Sequence, residues 1–200
     1  LLVSVPEGEG SKSLRRASAV FDSMATAGID RTAVVIGLGG GVIGDLAGYV
    51  AGTYMRGLAL VHLPTTLLAQ VDSAIGGKAA VNHPRAKNLI GVFHQPAMVM
   101  ADVETLKALP MREVRSGLAE VIKYGMACDA ELLAYIEERM DALLRREVDA
   151  LRKCVGWCAS IKARIVHEDE RERGPRRLLN YGHTVGHALE ILAGGSLTHG

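Results

Sequence analysis

The stretch Thr32-Ala-Val-Val-Ile-Gly-Leu38 runs directly into Gly39-Gly-Gly-Val-Ile-Gly-Asp45, and this junction decides the fold. Its first half is a short, β-branched apolar run of the kind found in buried parallel strands. Its glycines then form a turn that leads into a helix of small residues ending near Thr53. A strand, a glycine turn and a helix in this order present backbone N–H groups and a helix N-terminus to phosphate. The junction therefore predicts an α/β unit that binds a phosphate-bearing cofactor.

Three of these glycines, Gly39, Gly41 and Gly44, satisfy the G-x-G-x-x-G pattern, which gains weight from its place between a strand and a helix. The acidic residue that usually binds ribose about 20 residues further on is missing, since that region reads Leu-Ala-Leu-Val-His-Leu. The pattern therefore predicts a pyrophosphate-type loop that departs from the standard Rossmann fingerprint. A tight strand-to-helix turn without a ligand is the plain alternative.

The first half of the chain reads as α/β. An amphipathic helix ends at Gly28, and short apolar runs predict parallel strands at residues 32–38, 58–63 and 97–101. Between the last two strands, polar and glycine-flanked loops are predicted. Their cations suit an anionic substrate, with solvated loop lysines as the plain alternative. A helix or loop carries Gln70, Asp72 and Ser73, and the loops beyond it carry Lys78, Lys87 and Asn88.

Beyond Glu104 the strand signals stop and helical patterns take over. Helices are predicted at residues 115–127, 130–146 and 148–168. Asp129 suits the N-cap of the second helix. We therefore expect an incomplete Rossmann-like parallel sheet with its helices at residues 1–103, followed by an all-α domain at residues 104–200.

Bulk properties exclude several classes of partner. A formal net charge of +1 gives no electrostatic reason to bind nucleic acid or an anionic membrane, and 4% aromatic residues are too few for base-stacking surfaces. No signal peptide or membrane-spanning apolar run is present, so a cytoplasmic protein is expected. The chain starts at Leu1 rather than Met and stops without finishing an element, so we expect a fragment that lacks both ends.

Two histidines, His183 and His187, lie four residues apart in Asn180-Tyr-Gly-His-Thr-Val-Gly-His187. This spacing places both rings on one helix face. Such a pair can hold a metal ion, or one ring can bind metal while the other moves protons. A helix start with two incidental histidines is the plain alternative.

Glu120 and Lys123 lie three residues apart on one helix face with apolar neighbours, which favours a buried functional pair over a surface ion pair. Together with His183 and His199, Glu120 completes a set of one carboxylate and two imidazoles. Catalytic zinc commonly has three protein ligands and an open fourth position. The spacing therefore predicts a composite metal site drawn from separate helices.

A basic and polar set of side chains could surround a phosphorylated substrate. Its members are Arg56, Lys78, Asn88, Lys162, Arg176 and Asn180. Together with the glycine turn and the metal set, it predicts an NAD- and metal-dependent enzyme that acts on a phosphate-bearing polyol or sugar.

These motifs, in this order and spacing, resemble the 3-dehydroquinate synthase family from about Glu7 to the last residue. The matching stretches are residues 39–45, 53–57, 64–73, 76–78, 87–91, 119–123, 169–172, 180–187 and 199–200. The resemblance implies an N-terminal NAD-binding α/β domain and a C-terminal helical domain with the active site between them. It also implies a homodimer.

The resemblance implies site residues by matching position. The implied ligands of a divalent metal, zinc or cobalt, are Glu120, His183 and His199. The implied NAD contacts are Glu9, Lys12, Gly40, Gly41, Asp45, Thr65, Thr66, Asp72 and Lys87. The implied substrate contacts are Arg56, Asp72, Lys78, Asn88, Lys123, Lys162, Arg176, Asn180 and His187. Catalytic roles are implied for Lys78, Lys123, Lys162, Glu172 and His187.

The implied reaction is a carbon–oxygen lyase step of the shikimate pathway, which leads to aromatic amino acids. It converts 3-deoxy-D-arabino-heptulosonate 7-phosphate, a phosphorylated seven-carbon sugar acid, to 3-dehydroquinate and phosphate. NAD oxidises a ring hydroxyl transiently, phosphate is eliminated, the ketone is reduced again and an intramolecular aldol reaction closes the ring. Zinc suits the polarisation of the ring oxygen, and His187 suits proton transfer near neutral pH.

Three other functions stay open from the sequence. Another sugar-phosphate cyclase, such as a 2-deoxy-scyllo-inosose synthase, would share the glycine turn and the metal set, although Lys87-Asn88, Lys162 and Arg176 favour the heptulosonate. A metal-dependent polyol dehydrogenase would release NADH. A truncated fragment serving as a module in a larger protein would have no activity of its own.

Overall fold

The structure, a computed structural model, describes residues 1–194 and 197–199 of a chain that divides into two compact units. Unit 1 comprises Leu1–Pro64 and Ser73–Ala101, and unit 2 comprises Thr65–Asp72 and Asp102–Gly200. Thr65–Asp72 groups with unit 2 because Leu67 and Val71 are fully buried in the core of that unit. The boundary predicted between residues 103 and 104 stays a prediction.

Unit 1 contains a parallel sheet, which confirms the predicted α/β class. Its helices are α1 (Leu14–Thr26) and α2 (Gly41–Thr53), and its strands are β1 (Val34–Gly39), β2 (Ala59–Pro64), β3 (Lys78–His83), β4 (Ala86–Phe93) and β5 (Met98–Val99). β2 lies between β1 and β5, and both pairings are parallel. α2 connects β1 to β2, as expected for parallel neighbours, which need a crossover connection.

β3 and β4 form a separate antiparallel hairpin where polar loops are predicted, and that prediction is wrong. The strands pair from Lys78 opposite Phe93 to His83 opposite Ala86. Val81 in β3 is fully buried, but no residue of β4 is, and its first four residues are all exposed. The alternation of apolar and polar residues that marks a half-buried strand is therefore missing from β4.

Unit 2 contains helices and no strand among its described residues, as predicted. Its helices are α3 (Met111–Cys128), α4 (Ala130–Leu144), α5 (Val148–Glu168) and α6 (His183–Leu192). Asp129 is the N-cap of α4, as predicted, because its side chain accepts hydrogen bonds from the N–H groups of Glu131 and Leu132. None of the described helices combines the length and the apolar composition that a membrane span needs.

Gly117 on α3 lies against the buried segment Thr65–Asp72. A Cβ added at Gly117 would lie 2.7 Å from the backbone nitrogen of Leu68 and 2.7 Å from Cβ of Leu67. We therefore expect Gly117→Ala to destabilise unit 2 by roughly 1–3 kcal/mol, the usual cost of overpacking a core. Denaturant unfolding followed by the fluorescence of Trp157, the only tryptophan and part of α5, measures the change.

Gly156 on α5 provides the matched control, since a Cβ there would meet nothing within 4 Å. Gly156→Ala is expected to stabilise the helix by about 0.5–1 kcal/mol, because alanine loses less backbone entropy on folding than glycine. Equal effects of the two substitutions would contradict the close packing at Gly117.

Candidate active site

The glycine turn of unit 1 lies between β1 and α2, as the junction predicts. Gly39 ends the strand, Gly40 is the N-cap with extended backbone, and Gly41 is the first helical residue. A Cβ on Gly41 would lie 3.1 Å from the hydroxyl oxygen of Ser73, so a larger residue would crowd that side chain. Because the first N–H groups of a helix have no partner within it, this turn offers donors to a phosphate.

Three of the predicted NAD contacts, Glu9, Lys12 and Asp45, form one ion-pair cluster in unit 1. Lys12 Nζ lies 2.6 Å from Asp45 Oδ2 and 3.4 Å from Glu9 Oε1, and the Lys12 side chain is only 6% exposed. Asn82, which sequence reasoning missed, donates from Nδ2 to Glu9 Oε1 at 2.7 Å. It lies on the unpredicted hairpin, so no local pattern marked it.

The other predicted contacts of unit 1 occupy exposed positions on separate elements. Arg56 lies just after α2 with a positive φ of 69°, Lys78 begins β3, and Lys87 and Asn88 lie in β4. Asn88 has a φ of 56°, and its N–H donates to Asn82 Oδ1 at 2.9 Å. Asn82 therefore links the hairpin to the ion-pair cluster at Lys12.

Thr65 and Thr66 lie at the start of the segment that groups with unit 2. Thr66 Oγ1 accepts from the N–H of Ala69 at 3.2 Å, and its carbonyl accepts from the N–H of Gln70. The buried Gln70 side chain donates from Nε2 to the carbonyl of Asp102 at 2.9 Å. These bonds hold the segment in a defined conformation up to Asp72.

Asp72 is the centre of a buried polar cluster in unit 2. Lys162 Nζ donates to Asp72 Oδ1 at 2.7 Å and to its carbonyl at 2.7 Å. The hydroxyl of Tyr124, which is fully buried, donates to the same Oδ1 at 2.6 Å. Lys162 is 7% exposed and Asp72 is 22% exposed in their side chains. The structure thus brings together two of the predicted site residues, Asp72 and Lys162, and adds a second donor to Asp72, Tyr124, which sequence reasoning missed.

The charges in this cluster shift one another's pKa. Burial alone would raise the pKa of Asp72, but the ammonium groups of Lys162 and Lys123 and the hydrogen bonds it accepts outweigh burial and hold that pKa well below its usual range. Burial lowers the pKa of Lys162, and the Asp72 carboxylate opposes that shift only in part. A lysine that holds its proton less firmly than usual is suited to proton transfer.

Glu120, His183 and His199 come together in unit 2. Glu120 Oε1 lies 3.6 Å from His183 Nε2 and 3.3 Å from His199 Nε2, and one potential ligand atom of each residue lies within 4.8 Å of the others. Glu120 is 4% exposed, and Lys123 Nζ contacts its Oε2. One carboxylate and two imidazoles are the donors that catalytic zinc uses, so these side chains fit a divalent metal ion.

Burial, hydrogen bonding and a neighbouring charge shift the pKa values of Glu120 and His199. Burial would raise the pKa of Glu120, but the hydrogen bond with His199 and the Lys123 ammonium lower it below its usual value. The same hydrogen bond with Glu120 raises the pKa of His199. A metal ion competes with the proton in this bond, so metal binding to such a set releases a proton.

His187 lies one helical turn after His183 on α6 and is exposed. Its ring centroid is 5.1 Å from that of His183 and 5.7 Å from that of His199. His187, Glu190 and His199 form a second group of potential ligand atoms within 4.8 Å of one another. The two histidines of the predicted pair therefore lie in different environments: His183 lies beside Glu120, and His187 is exposed.

The loop after α5 carries the remaining predicted substrate contacts. Asp169 accepts hydrogen bonds from three backbone N–H groups of this loop, including that of Arg176. Arg176 is buried and donates from Nη1 to the carbonyl of Glu170, while Asn180 Nδ2 donates to Glu172 Oε1 at 2.8 Å. The loop therefore orders Arg176, Glu172 and Asn180 together.

Glu190 is a further residue that sequence reasoning missed. Its Oε1 lies 2.8 Å from His199 Nδ1. A signal for it exists, because Glu190 lies seven residues after His183 and so on the same face of α6.

Two family models match the chain end to end. The model described as 3-dehydroquinate synthase N-terminal matches residues 2–116, and the model described as 3-dehydroquinate synthase C-terminal matches residues 117–200. Among curated relatives, the 3-dehydroquinate synthase of Pelobacter propionicus is 53% identical over 100% of this chain and 56% of its own length. That of Pelotomaculum thermopropionicum is 55% identical over 96% of this chain and 52% of its own length. The chain thus spans about half the length of these relatives.

Solved structures share the fold. The 2-epi-5-epi-valiolone synthase of Streptomyces hygroscopicus subsp. jinggangensis, solved with NAD+ and Zn2+ bound, has a TM-score of 0.91 and 31% identity over 98% of this chain and 55% of its own. A 2-deoxy-scyllo-inosose synthase, complexed with carbaglucose-6-phosphate, NAD+ and Co2+, has a TM-score of 0.91 and 33% identity over 96% of this chain and 53% of its own. A probable glycerol dehydrogenase from Sinorhizobium meliloti, at 17% identity, 82% of this chain, 52% of its own and a TM-score of 0.58, shares the fold alone.

Proposed function

We propose that this chain, which belongs to the 3-dehydroquinate synthase family, converts 3-deoxy-D-arabino-heptulosonate 7-phosphate to 3-dehydroquinate and phosphate. The observation that carries the proposal is the convergence of Glu120, His183 and His199, in a chain 53% identical along its whole length to a curated 3-dehydroquinate synthase. The solved cyclases with NAD+ and Zn2+ or Co2+ support NAD and a divalent metal as the cofactors.

In unit 1 the glycine turn and the ion-pair cluster are proposed to bind NAD. Gly40 and Gly41 leave the N-terminus of α2 open to the pyrophosphate. The buried Lys12 ammonium holds the carboxylates of Asp45 and Glu9 in place. The NAD contacts predicted at Thr65, Thr66, Asp72 and Lys87 stay predictions.

When bound, the metal supplies Lewis-acid polarisation of a substrate oxygen and NAD supplies reversible hydride exchange. Lys162 donates a hydrogen bond to Asp72, and burial lowers the pKa of its ammonium group. Lys162 is therefore proposed to move a proton. His187 is proposed to exchange a proton with solvent, since imidazole is the side chain best suited to that task at neutral pH.

Phosphate binding is proposed for side chains of the loop after α5. Arg176 and Asn180 are proposed to bind phosphate oxygens, with Glu172 orienting the Asn180 amide through the hydrogen bond it accepts. Arg56, Lys78, Asn88 and Lys123 stay predicted substrate contacts. Lys123, beside Glu120, is proposed to keep that carboxylate ionised.

A turnover assay tests the function. The intact protein, with NAD and zinc, is expected to release phosphate from the heptulosonate 7-phosphate and to form 3-dehydroquinate without net accumulation of NADH. Glucose 6-phosphate and simple polyols serve as competing substrates. Phosphate release from glucose 6-phosphate alone would favour another sugar-phosphate cyclase, and stoichiometric NADH from a polyol would favour a dehydrogenase.

Two further predictions concern the oligomeric state and the cellular location of the protein. The homodimer implied by the family resemblance and the cytoplasmic location predicted from the sequence both stay predictions. Sedimentation of the intact protein tests the first.

A further inference from the structure

We infer that Glu190 is a positioning residue of the metal centre, because its carboxylate holds His199 in the tautomer that turns an unprotonated Nε2 toward Glu120. His199 Nδ1 lies 2.8 Å from Glu190 Oε1, and His199 Nε2 lies 3.3 Å from Glu120 Oε1. The inference rests on the proposed metal site formed by Glu120, His183 and His199.

The tautomer of His199 follows from the two carboxylates beside its ring and from their distances. An ionised carboxylate only accepts hydrogen bonds, and a neutral imidazole has one N–H and one lone pair. Both ring nitrogens of His199 face a carboxylate, since Nδ1 lies 2.8 Å from Glu190 Oε1 and Nε2 lies 3.3 Å from Glu120 Oε1. The shorter contact assigns the single proton of a neutral His199 to Nδ1 and leaves the lone pair on Nε2. The atom that faces Glu120 is then the one able to bind a metal ion. The opposite tautomer would direct an N–H at the ion.

His183 shows the same arrangement with a different acceptor. Its Nδ1 lies 3.3 Å from the carbonyl oxygen of Tyr181, and a carbonyl also only accepts. Its Nε2 faces Glu120, as that of His199 does. Each imidazole of the set thus has an oxygen acceptor behind Nδ1, and Glu190 is the one that carries a full charge. Carboxylate support of a ligating histidine orients the ring and raises its basicity.

His199 is also held through its backbone. The hydroxyl of Ser116, buried on α3, donates to the carbonyl of His199. The Glu190 side chain is 15% exposed, so water screens its bond to the imidazole only in part. α6 therefore delivers both a ligand, His183, and the support for a second ligand, Glu190, seven residues later on the same face.

The same residues allow one alternative role for Glu190, that of a metal ligand. His187, Glu190 and His199 also have potential ligand atoms within 4.8 Å of one another, so Glu190 could itself bind a second ion. The two roles predict different stoichiometries: one ion per chain if Glu190 positions His199, and two if it is a ligand.

Zinc titration of the metal-free intact protein against a chromophoric chelator tests the inference. Wild type is expected to bind one ion per chain, and Glu190→Gln is expected to bind it about 10–100-fold more weakly, the usual effect of losing such a support. Glu190→Asp, which keeps the charge, should lie closer to wild type than Glu190→Gln. Glu137→Gln, at an exposed position of α4, should match wild type. Circular dichroism checks that each variant is folded.

Nitrogen NMR of labelled histidines gives a readout that does not depend on metal or turnover. In the metal-free wild type, at a pH where the ring is neutral, His199 is expected as the Nδ1–H tautomer, and Glu190→Gln should raise the share of the Nε2–H tautomer. Unchanged zinc affinity and tautomer in Glu190→Gln, with wild type binding zinc, would overturn the inference and leave the proposed function intact. Two ions per chain would also overturn it. A wild type that binds no zinc would overturn the metal site and the proposed function together.

Discussion

Replacing His183 by alanine is expected to abolish tight zinc binding and turnover in the intact protein. The substitution removes the Nε2 atom that lies 3.6 Å from Glu120 Oε1, so two protein ligands are left where catalytic zinc sites use three. The loss of affinity should exceed the roughly 10–100-fold expected when a supporting residue is removed. Zinc content after dialysis and competition with a chelator measure it.

His167, exposed at the end of α5, offers a matched control in the same unit. His167→Ala should bind zinc and turn over as wild type does. Tight binding of zinc by a folded, active His183→Ala protein would refute the assignment of His183 as a ligand.

The second large effect concerns the buried pair of Asp72 and Lys162. Asp72→Asn leaves the Lys162 ammonium buried without its counter-charge, and the loss of one partner of a buried pair costs about 3–5 kcal/mol. We expect the lower end of that range, because the Asp72 side chain is 22% exposed. Trp157 fluorescence during denaturant unfolding measures the change in unit 2, and Asp141→Asn, at an exposed position of α4, should leave it near wild type.

The pH dependence of this difference follows from the lowered pKa of Asp72. A carboxyl whose pKa is lower in the folded than in the unfolded state stabilises the protein above its unfolded pKa, about 3.9. The stabilisation declines as pH falls below that value toward the folded pKa. The gap between wild type and Asp72→Asn should therefore be widest near neutral pH and shrink in acid. A gap independent of pH would contradict the role of the charge.

The elements that sequence predicted well are those whose local pattern agrees with their final environment. The junction at Gly39 combines a β-branched run, a glycine turn and a small-residue helix, and the structure contains all three in order. The helices from α3 to α5 follow from apolar periodicity, and Asp129 follows from capping chemistry. The motif order also identified the family.

What sequence missed depends on contacts between distant residues. The hairpin of β3 and β4 was missed because small and polar residues replace the usual alternation. Tyr124 donates to Asp72 only because helix packing brings these two distant residues together. The spacing of Glu190 from His183 places both residues on one face of α6, so sequence could have indicated Glu190. Its partner His199, however, lies nine residues further on and beyond α6.

The central claim is that Glu120, His183 and His199 hold the metal ion, and anomalous diffraction from a crystal of the zinc-loaded intact protein tests it most directly. One anomalous peak is expected, in contact with the Glu120 carboxylate and with Nε2 of both histidines. A zinc peak held instead by His187, Glu190 and His199, or no peak at Glu120 in a crystal with zinc bound elsewhere, would contradict it.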